Sequence, residues 1–188
     1  MSKPTRHSPP KGKRRPKQEL LYDPDVPTPT HAELARTLVQ NAASGTLCTL
    51  SVDPEGFPYG SLVTFAIHDG DPIFLVSELA VHTKNLKGSE KASLLVAEAG
   101  PDNPLALGRV TLVGQCRPIA DADRDAVKAT FLEKNPQAEF YVDFADFTFY
   151  RLQVESIRYI GGFGRMSWVP ASDWAASEPD PIAPFAGP

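Results

Sequence analysis

Six short segments rich in β-forming residues are the feature that most limits how this chain can fold. They are TLCTLSV (46–52), YGSLVTFAI (59–67), PIFLVS (72–77), KASLLVAEA (91–99), RVTLVGQCRPI (109–119) and FTFYRLQVESIRYI (147–160). Turn residues separate several of them, as in DPEGFP (53–58) and HDGD (68–71), which is typical of antiparallel hairpins. The pattern favours a mainly β, α+β fold, a six-stranded antiparallel barrel with peripheral helices, over a doubly wound sheet.

Three further segments have helical rather than strand periodicity. Thr30 has the residue type of an N-cap, with Glu33 three residues later, and an apolar repeat extends from there toward Gly45. ELAVHTKNLKG (78–88) follows the third strand and ends at a glycine. DADRDAVKATFLEKNP (121–136) is amphipathic, with its first aspartate as the expected cap.

Proline and charge divide the 188-residue chain into one domain and two tails. Residues 1–30 hold seven prolines, and the last nineteen residues hold five more with little apolar periodicity. We therefore expect tails at 1–30 and 170–188 around a single domain at 31–169. Residues 1–17 carry seven Lys or Arg and no acidic residue, and such clusters attract phosphates. Because this arm has no aromatic residue to stack on a base, we expect a solvated tail and no nucleic-acid partner.

The composition argues against a membrane protein and against a disulfide-stabilised one. No apolar run reaches the roughly 18 residues of a membrane span. The N-terminus has Lys3, Arg6 and prolines in place of the apolar stretch of a signal peptide, so we expect a cytoplasmic protein. Its two cysteines, Cys48 and Cys116, match no metal-ligand spacing and are predicted to be buried thiols.

Polar residues cluster where the third predicted strand meets its helix. Ser77 ends the strand, and four residues follow near the helix start: His82, Thr83, Lys84 and Asn85. Hydroxyl and cationic side chains beside the free N–H groups of a helix N-terminus suit a phosphate monoester. Upstream, Ser61 lies in a strand whose alternate side chains can line a planar ring system. His82 also has the residue type of a general acid or base, since an unperturbed imidazole has a pKa of about 6.5.

Four motifs occur in order along the chain. They are G-x-P-x-x-S-L-V-x-F (56–65), V-S-x-L-A-x-H-T-x-N-L (76–86), G-R-V-T-L-V-G (108–114) and I-x-x-I-G-G-F-G-R (157–165). The set resembles the pyridoxamine-5′-phosphate-oxidase-like superfamily of FMN-binding split β-barrels, and most closely its subgroup related to haem-utilisation proteins. The likeness covers about residues 31–169 and implies a split barrel that binds FMN at the interface of a homodimer.

The resemblance assigns roles to the matched positions. Ser61, Leu62, Val63 and Thr64 would line the cofactor, with Ser77 beside it. The phosphate would be held by His82, Thr83 and Lys84, next to Asn85. Arg109 occupies the place of a glutamine that contacts the flavin in classical oxidases of the superfamily. Four residues would reach the cofactor from the second chain: Phe163, Gly164, Arg165 and Trp168. The GGFGR segment also fits a glycine-rich turn, and Trp168 an ordinary hydrophobic anchor.

Three functions fit this resemblance. The first is an FMN-dependent oxidoreductase acting on a small molecule, in which the flavin carries the electron chemistry. The second is haem binding or haem degradation, which needs an axial ligand. The relatives place that histidine late in the chain, whereas the histidines here are His7, His31, His68 and His82, and this departure counts against haem. The third is a non-catalytic module that keeps the flavin pocket for sensing. FMN and a deazaflavin are not distinguished by these residues.

Overall fold

The computed structural model describes residues 28–100, 103–162 and 165–180, which form one antiparallel sheet surrounded by helices. The strands are β1 (Ser44–Val52), β2 (Glu55–Thr64), β3 (Ala66–His68), β4 (Asp71–Ser77), β5 (Lys91–Ala97), β6 (Gly108–Pro118), β7 (Phe147–Gly161) and β8 (Met166–Val169). The helices are α1 (His31–Asn41), α2 (Val81–Gly88), α3 (Arg124–Lys134) and α4 (Ala171–Ala176). Short 3-10 turns lie at Pro104–Ala106, Asp121–Asp123 and Pro136–Phe140. The basic arm expected at 1–17 lies outside the described residues.

A bend at Phe65 determines how the sheet curls. The strands are ordered β2-β1-β5-β6-β7-β4-β3, with β8 added beside β7. The edge strands β2 and β3 are consecutive in the chain and separated by Phe65, whose side chain is fully buried. The sheet must therefore curl until its two edges meet at this residue, although β2 pairs with β1 and β3 pairs with β4. This is the mainly β split barrel with peripheral helices that the sequence predicts.

The described residues form eight strands where the sequence predicts six. The predicted strand 59–67 is divided at Phe65, and apolar residues continue through the bend, so periodicity gives no signal of the break. The four residues of β8 come shortly after the glycine-rich sequence 161–164 and are too few to show a clear alternation. β2 begins at Glu55, inside the segment 53–58 that the sequence predicts as a turn.

Two apolar cores lie on opposite faces of the sheet. Alternate residues of β4 and β7 point to different cores, because side chains alternate along a strand. Phe74 and Tyr150 lie in the barrel interior, whereas Ile73 and Phe149 pack under α3. Cys116 is buried in the interior as predicted, and burial raises the pKa of its thiol to about 12. Cys48 is a free thiol that is only half-buried, so the prediction for it is corrected.

The helix starts and ends follow local chemistry, with two corrections. Thr30 caps α1 in a reciprocal capping box with Glu33, as predicted. The helix ends at Asn41, and Gly45 lies in β1, where a Cβ atom would come within 2.8 Å of Leu94 Cδ1. Asp121 begins a 3-10 turn ahead of α3 and makes no side-chain capping bond, so it is not the predicted helix cap. In none of the described ranges does a helix have the length and apolar character needed to cross a membrane.

The segment expected as a C-terminal tail contains a packed helix. In α4, Trp174 is buried and its indole N–H donates to the Gly70 carbonyl at 3.0 Å. The Arg36 guanidinium lies 4.1 Å from the Trp174 ring centroid and donates to the carbonyls of Gly70, Trp174 and Ser177. The expectation of an extended tail from residue 170 is therefore corrected for 171–176, because one long-range aromatic contact anchors a segment without apolar periodicity.

Trp174→Ala should lower the free energy of unfolding by about 3 kcal/mol, because it empties a buried aromatic site. Phe140→Ala is the control, since Phe140 is highly exposed and its loss should cost under about 0.5 kcal/mol. Urea unfolding followed by far-UV circular dichroism measures both variants. Equal effects of the two substitutions would contradict the anchoring role of Trp174.

Candidate functional site

The outer face of the sheet carries a continuous row of paired residues across six strands. Directly paired residues in an antiparallel sheet project to the same face. The row runs Leu62, Thr46, Leu95, Thr111, Arg158 and Trp168, on β2, β1, β5, β6, β7 and β8. Its two ends are open to solvent, with Leu62 79% exposed and Trp168 64% exposed. We call this surface the outer sheet face.

Strand β2 forms a free edge beside this face. Its residues from Glu55 to Gly60 are all exposed, although the strand is paired with β1 along one side. Tyr59 and Ser61 point to the opposite, inner side, because they pair with the inward-facing Thr49 and Leu47. An uncovered strand edge with exposed apolar residues is a place where a ligand or another chain can bind.

The four β2 residues predicted to line a cofactor do not face one surface. Leu62 and Thr64 lie on the outer sheet face, whereas Ser61 and Val63 lie on the inner side. Val63 is buried in the barrel core, so its predicted cofactor contact is corrected. The reason is the two-residue period of a strand, which divides any run of consecutive residues between its faces.

Ser77 holds the turn between β4 and α2. Its hydroxyl donates to Asp146 Oδ2 at 2.8 Å and accepts from the Leu79 N–H at 3.1 Å. The Glu78 N–H donates to the Asp146 carbonyl at 2.7 Å. Ser77 therefore stands at the predicted strand end, but its hydroxyl is engaged within the protein.

Thr83 and Asn85 are structural residues. Both side chains are fully buried. The Thr83 hydroxyl donates to the Ser77 carbonyl at 2.7 Å. The Asn85 amide donates to Thr49 Oγ1 at 2.9 Å and accepts from the Val52 N–H at 3.1 Å. The prediction that these two side chains contact a phosphate is corrected, because they fix α2 against the sheet.

His82 and Lys84 remain available at the start of α2. Within the described ranges, the His82 ring has no hydrogen-bond partner, and burial lowers the pKa of this imidazole, so it is neutral at pH 7. Lys84 is exposed and forms no ion pair with a described residue, whereas its neighbour Lys87 pairs with Glu78. Ala80, at the N-cap, makes no side-chain capping bond, so first-turn N–H groups are open to an anion or a ligand.

The remaining predicted residues lie at the other end of the outer sheet face. Arg109 donates to the carbonyls of Leu105 and Leu107 at 3.3 and 3.4 Å, so it braces the loop before its own strand. Arg165 is exposed and lies directly before β8. Trp168 contacts Arg158, whose guanidinium carbon lies 5.3 Å from a Trp168 ring centroid. Phe163 and Gly164 lie outside the described residues.

The residues near β2 and those near β8 are distant from each other along the sheet. Leu62 and Trp168 are separated by five strand-to-strand steps along the row. At about 4.8 Å a step, this is about 24 Å along the sheet. A ligand that followed the outer sheet face from Leu62 to Trp168 would therefore have to extend across six strands.

Two surface pockets are lined by residues other than the predicted site residues. One, of about 290 Å³, is lined by residues that include Arg124, Asp143, Phe144 and Phe149. The other, of about 330 Å³, is lined by residues that include Asp71, Arg117 and Arg151. None of the predicted site residues lines either pocket. The candidate site is therefore an open surface of the single chain rather than either of these pockets.

Sequence reasoning missed two residues of this region. Asp146 fixes the Ser77 turn from a distance of 69 positions, and nothing in its local sequence indicates that contact. Tyr59 lies two residues before Ser61 on the same inner side of the free edge. The alternation of strand side chains could have identified Tyr59 once Ser61 was chosen.

Comparison with known proteins gives a family and several haem-related relatives. Residues 27–176 match the family model described as "CREG, beta-barrel". The chloroplastic non-canonical haem oxygenase HOZ of Arabidopsis thaliana is 40% identical over 161 residues, which are 83% of this chain and 49% of that protein. The structure of a haem-binding protein from Mycobacterium smegmatis is 37% identical with a TM-score of 0.77, covering 84% of this chain and 64% of that one. Campylobacter jejuni ChuZ, at 16% identity and a TM-score of 0.64, covers 76% of this chain and 62% of its own and shows the fold alone.

Asn85→Ala should lower the free energy of unfolding by about 1–3 kcal/mol, because it leaves the buried Thr49 hydroxyl and the partly buried Val52 N–H without their partner. Lys84→Ala, one position away on the exposed side, should change it by less than about 0.5 kcal/mol. Urea unfolding of both variants measures the difference. A stable Asn85→Ala protein would show that α2 is not fixed by this side chain.

Proposed function

The chain belongs to the CREG β-barrel family, and from that premise we propose that it binds haem in a cleft between two copies of itself. Two relatives above 30% identity, the plant protein and the mycobacterial one, support haem over a flavin, because each is named for haem. The chain spans about half the length of the plant relative and 64% of the mycobacterial one, so the proposal concerns binding by this barrel. A cytoplasmic location stays a prediction, and the plant relative is named as chloroplastic.

The residues around the free edge fit the chemistry of haem. The ligand is a broad apolar ring with two carboxylates and an iron that accepts a side-chain donor. Exposed apolar side chains are present at Leu62 on the outer sheet face and at Leu79 and Val81 beside α2. Lys84 supplies a cation for a carboxylate, and the His82 ring is a neutral nitrogen donor. The lack of a late histidine therefore does not leave the iron without a candidate ligand.

The outer sheet face is the surface on which we propose that the second chain binds. Apolar side chains along it stay exposed in the single chain, including Leu95 and Met166 as well as Leu62 and Trp168. A self-complementary contact on this face buries them and brings β8 of one chain toward β2 of the other. The expected contributions of Arg165 and Trp168 to the partner's site depend on this arrangement.

FMN stays the second candidate. Lys84 and the uncapped first turn of α2 suit a phosphate as well as a carboxylate. A relative from Clostridium acetobutylicum, named for the pyridoxinephosphate oxidase family, has a TM-score of 0.56 at 16% identity and supports the fold alone, covering 73% of this chain and 92% of its own. Direct competition between the two ligands separates the candidates.

Haemin titrated into the purified apo-protein should produce a Soret shift that saturates near one haem per chain. FMN should bind at least about tenfold more weakly, since apolar surface outweighs Lys84, the cation that we propose for this site. Absorbance for haemin and fluorescence for the flavins measure the affinities. Riboflavin is the control, because it has the flavin ring without the phosphate. Tighter binding of FMN than of haemin, with riboflavin much weaker, would assign the site to FMN.

Leu62→Lys should convert the proposed dimer to a monomer, because it places a charge at the exposed apolar end of the outer sheet face that the dimer would bury. Phe140→Lys is a matched control, since Phe140 is 82% exposed but lies in the 3-10 turn Pro136–Phe140, outside the row of six strands. Sedimentation velocity at micromolar concentration measures the mass of each variant. A monomeric wild type, or a Leu62→Lys dimer as stable as the wild type, would contradict the proposed interface.

A further inference from the structure

We propose that His82 is the axial ligand of the haem iron, an inference that rests on the proposed haem-binding function. Nothing in the motif comparison assigns this role, because the resemblance places His82 beside a phosphate. The other described histidines already have hydrogen-bond partners. Helix α2, which carries His82, is held against the sheet by buried polar contacts.

The other two histidines in the described part of the chain have partners. His31 Nδ1 lies 2.8 Å from Ser167 Oγ, and its ring packs against Tyr159 with centroids 5.3 Å apart. His68 Nδ1 lies 2.9 Å from Thr130 Oγ1, and its Nε2 lies 3.4 Å from Asp69 Oδ2. His82 alone among these three has a ring with no hydrogen-bond partner among the described residues, so neither of its nitrogens is engaged by them.

His82 lies in the first turn of α2, a helix that packs against the inner side of the sheet. Residues three and four apart share a helix face, so His82 lies on the same face as Asn85 and Leu86, one turn closer to the helix start. Asn85 is bonded to Thr49 of β1, and Thr49 pairs with Tyr59 of β2. Helix α2 contacts both β1 and β2, so this face lies against the inner side of these two strands. The His82 side chain itself is half-buried.

The backbone on both sides of His82 is held by buried polar contacts. Thr83 is tied to the Ser77 carbonyl, and Ser77 is tied in turn to Asp146. Asn85 holds the following turn against β1. A ligand on a helix fixed in this way is preorganised, because its backbone needs no rearrangement when the iron binds.

Other donor side chains are less suited to this position. Cys116 is buried in the barrel interior, where burial opposes the thiolate form. Cys48 lies on the outer sheet face, because it pairs with Gly60 and Ser93. Tyr59 is the strongest rival, since it lies on the inner side of the free edge and its side chain is partly exposed. Tyr59→Phe is therefore the matched control.

The test compares haemin complexes of the wild type, His82→Ala and Tyr59→Phe. Resonance Raman of the ferrous form and electron paramagnetic resonance of the ferric form report the axial ligand directly. We expect an iron–histidine signature in the wild type and in Tyr59→Phe. His82→Ala should lose it, bind haemin at least about tenfold more weakly, and regain the signature when free imidazole is added. Circular dichroism and thermal melting confirm that each variant is folded.

The outcomes distinguish the assignment of His82 from the proposed haem binding. If wild type and His82→Ala bind haemin with the same axial signature, the assignment of His82 is wrong and haem binding stands. If Tyr59→Phe loses the signature while His82→Ala keeps it, Tyr59 is the ligand. If the wild type binds no haemin, the proposed function fails, and the inference about His82 fails with it.

Discussion

The bend at Phe65 is the constraint on which the rest of this structure depends. One continuous stretch of chain supplies both edges of the sheet, pairing with β1 before the bend and with β4 after it. The sheet therefore closes at one residue and stays open along β2. This opening leaves a free strand edge beside α2. The curl also gives the barrel a convex outer face, on which large apolar side chains from Leu62 to Trp168 stay exposed. The curl of the sheet thus accounts for both surfaces in the proposed function, the free edge of β2 and the outer sheet face.

The motif around α2 serves the fold as much as it serves a ligand. Thr83 and Asn85, two of its polar residues, are buried and bonded to Ser77 and to β1. Removing either would leave buried polar groups unpaired, which costs more than the bond itself contributes. His82 precedes these two residues and Lys84 lies between them, and both keep their side chains available. The motif therefore combines residues that fix the helix with residues that the fixed helix presents.

The sequence was sufficient for the fold, the α1 capping box and the position of Ser77, because each depends on local periodicity or on residues three apart. It failed at Phe65, where a bend leaves the apolar pattern unchanged, and at α4, which is held by Arg36 from a distance of 138 positions. It placed Val63 at the cofactor, because a sequence motif does not show to which face of the strand each side chain points. It also could not separate haem from FMN, since both need a cation and an apolar surface at this site. Asp146 was missed for the same reason as Arg36, because its partner is distant in the chain.

The most direct test of a site shared between two chains is a purified heterodimer of His82→Ala and Trp168→Ala chains carrying different tags. If His82 comes from one chain and Trp168 from the other, one of the two sites in each heterodimer has both native residues. The account predicts that this heterodimer binds one haem with the wild-type affinity and spectrum, although each variant homodimer binds haem weakly. If every site in the heterodimer instead keeps the defect of one parent, both residues act within one chain and the shared site is wrong.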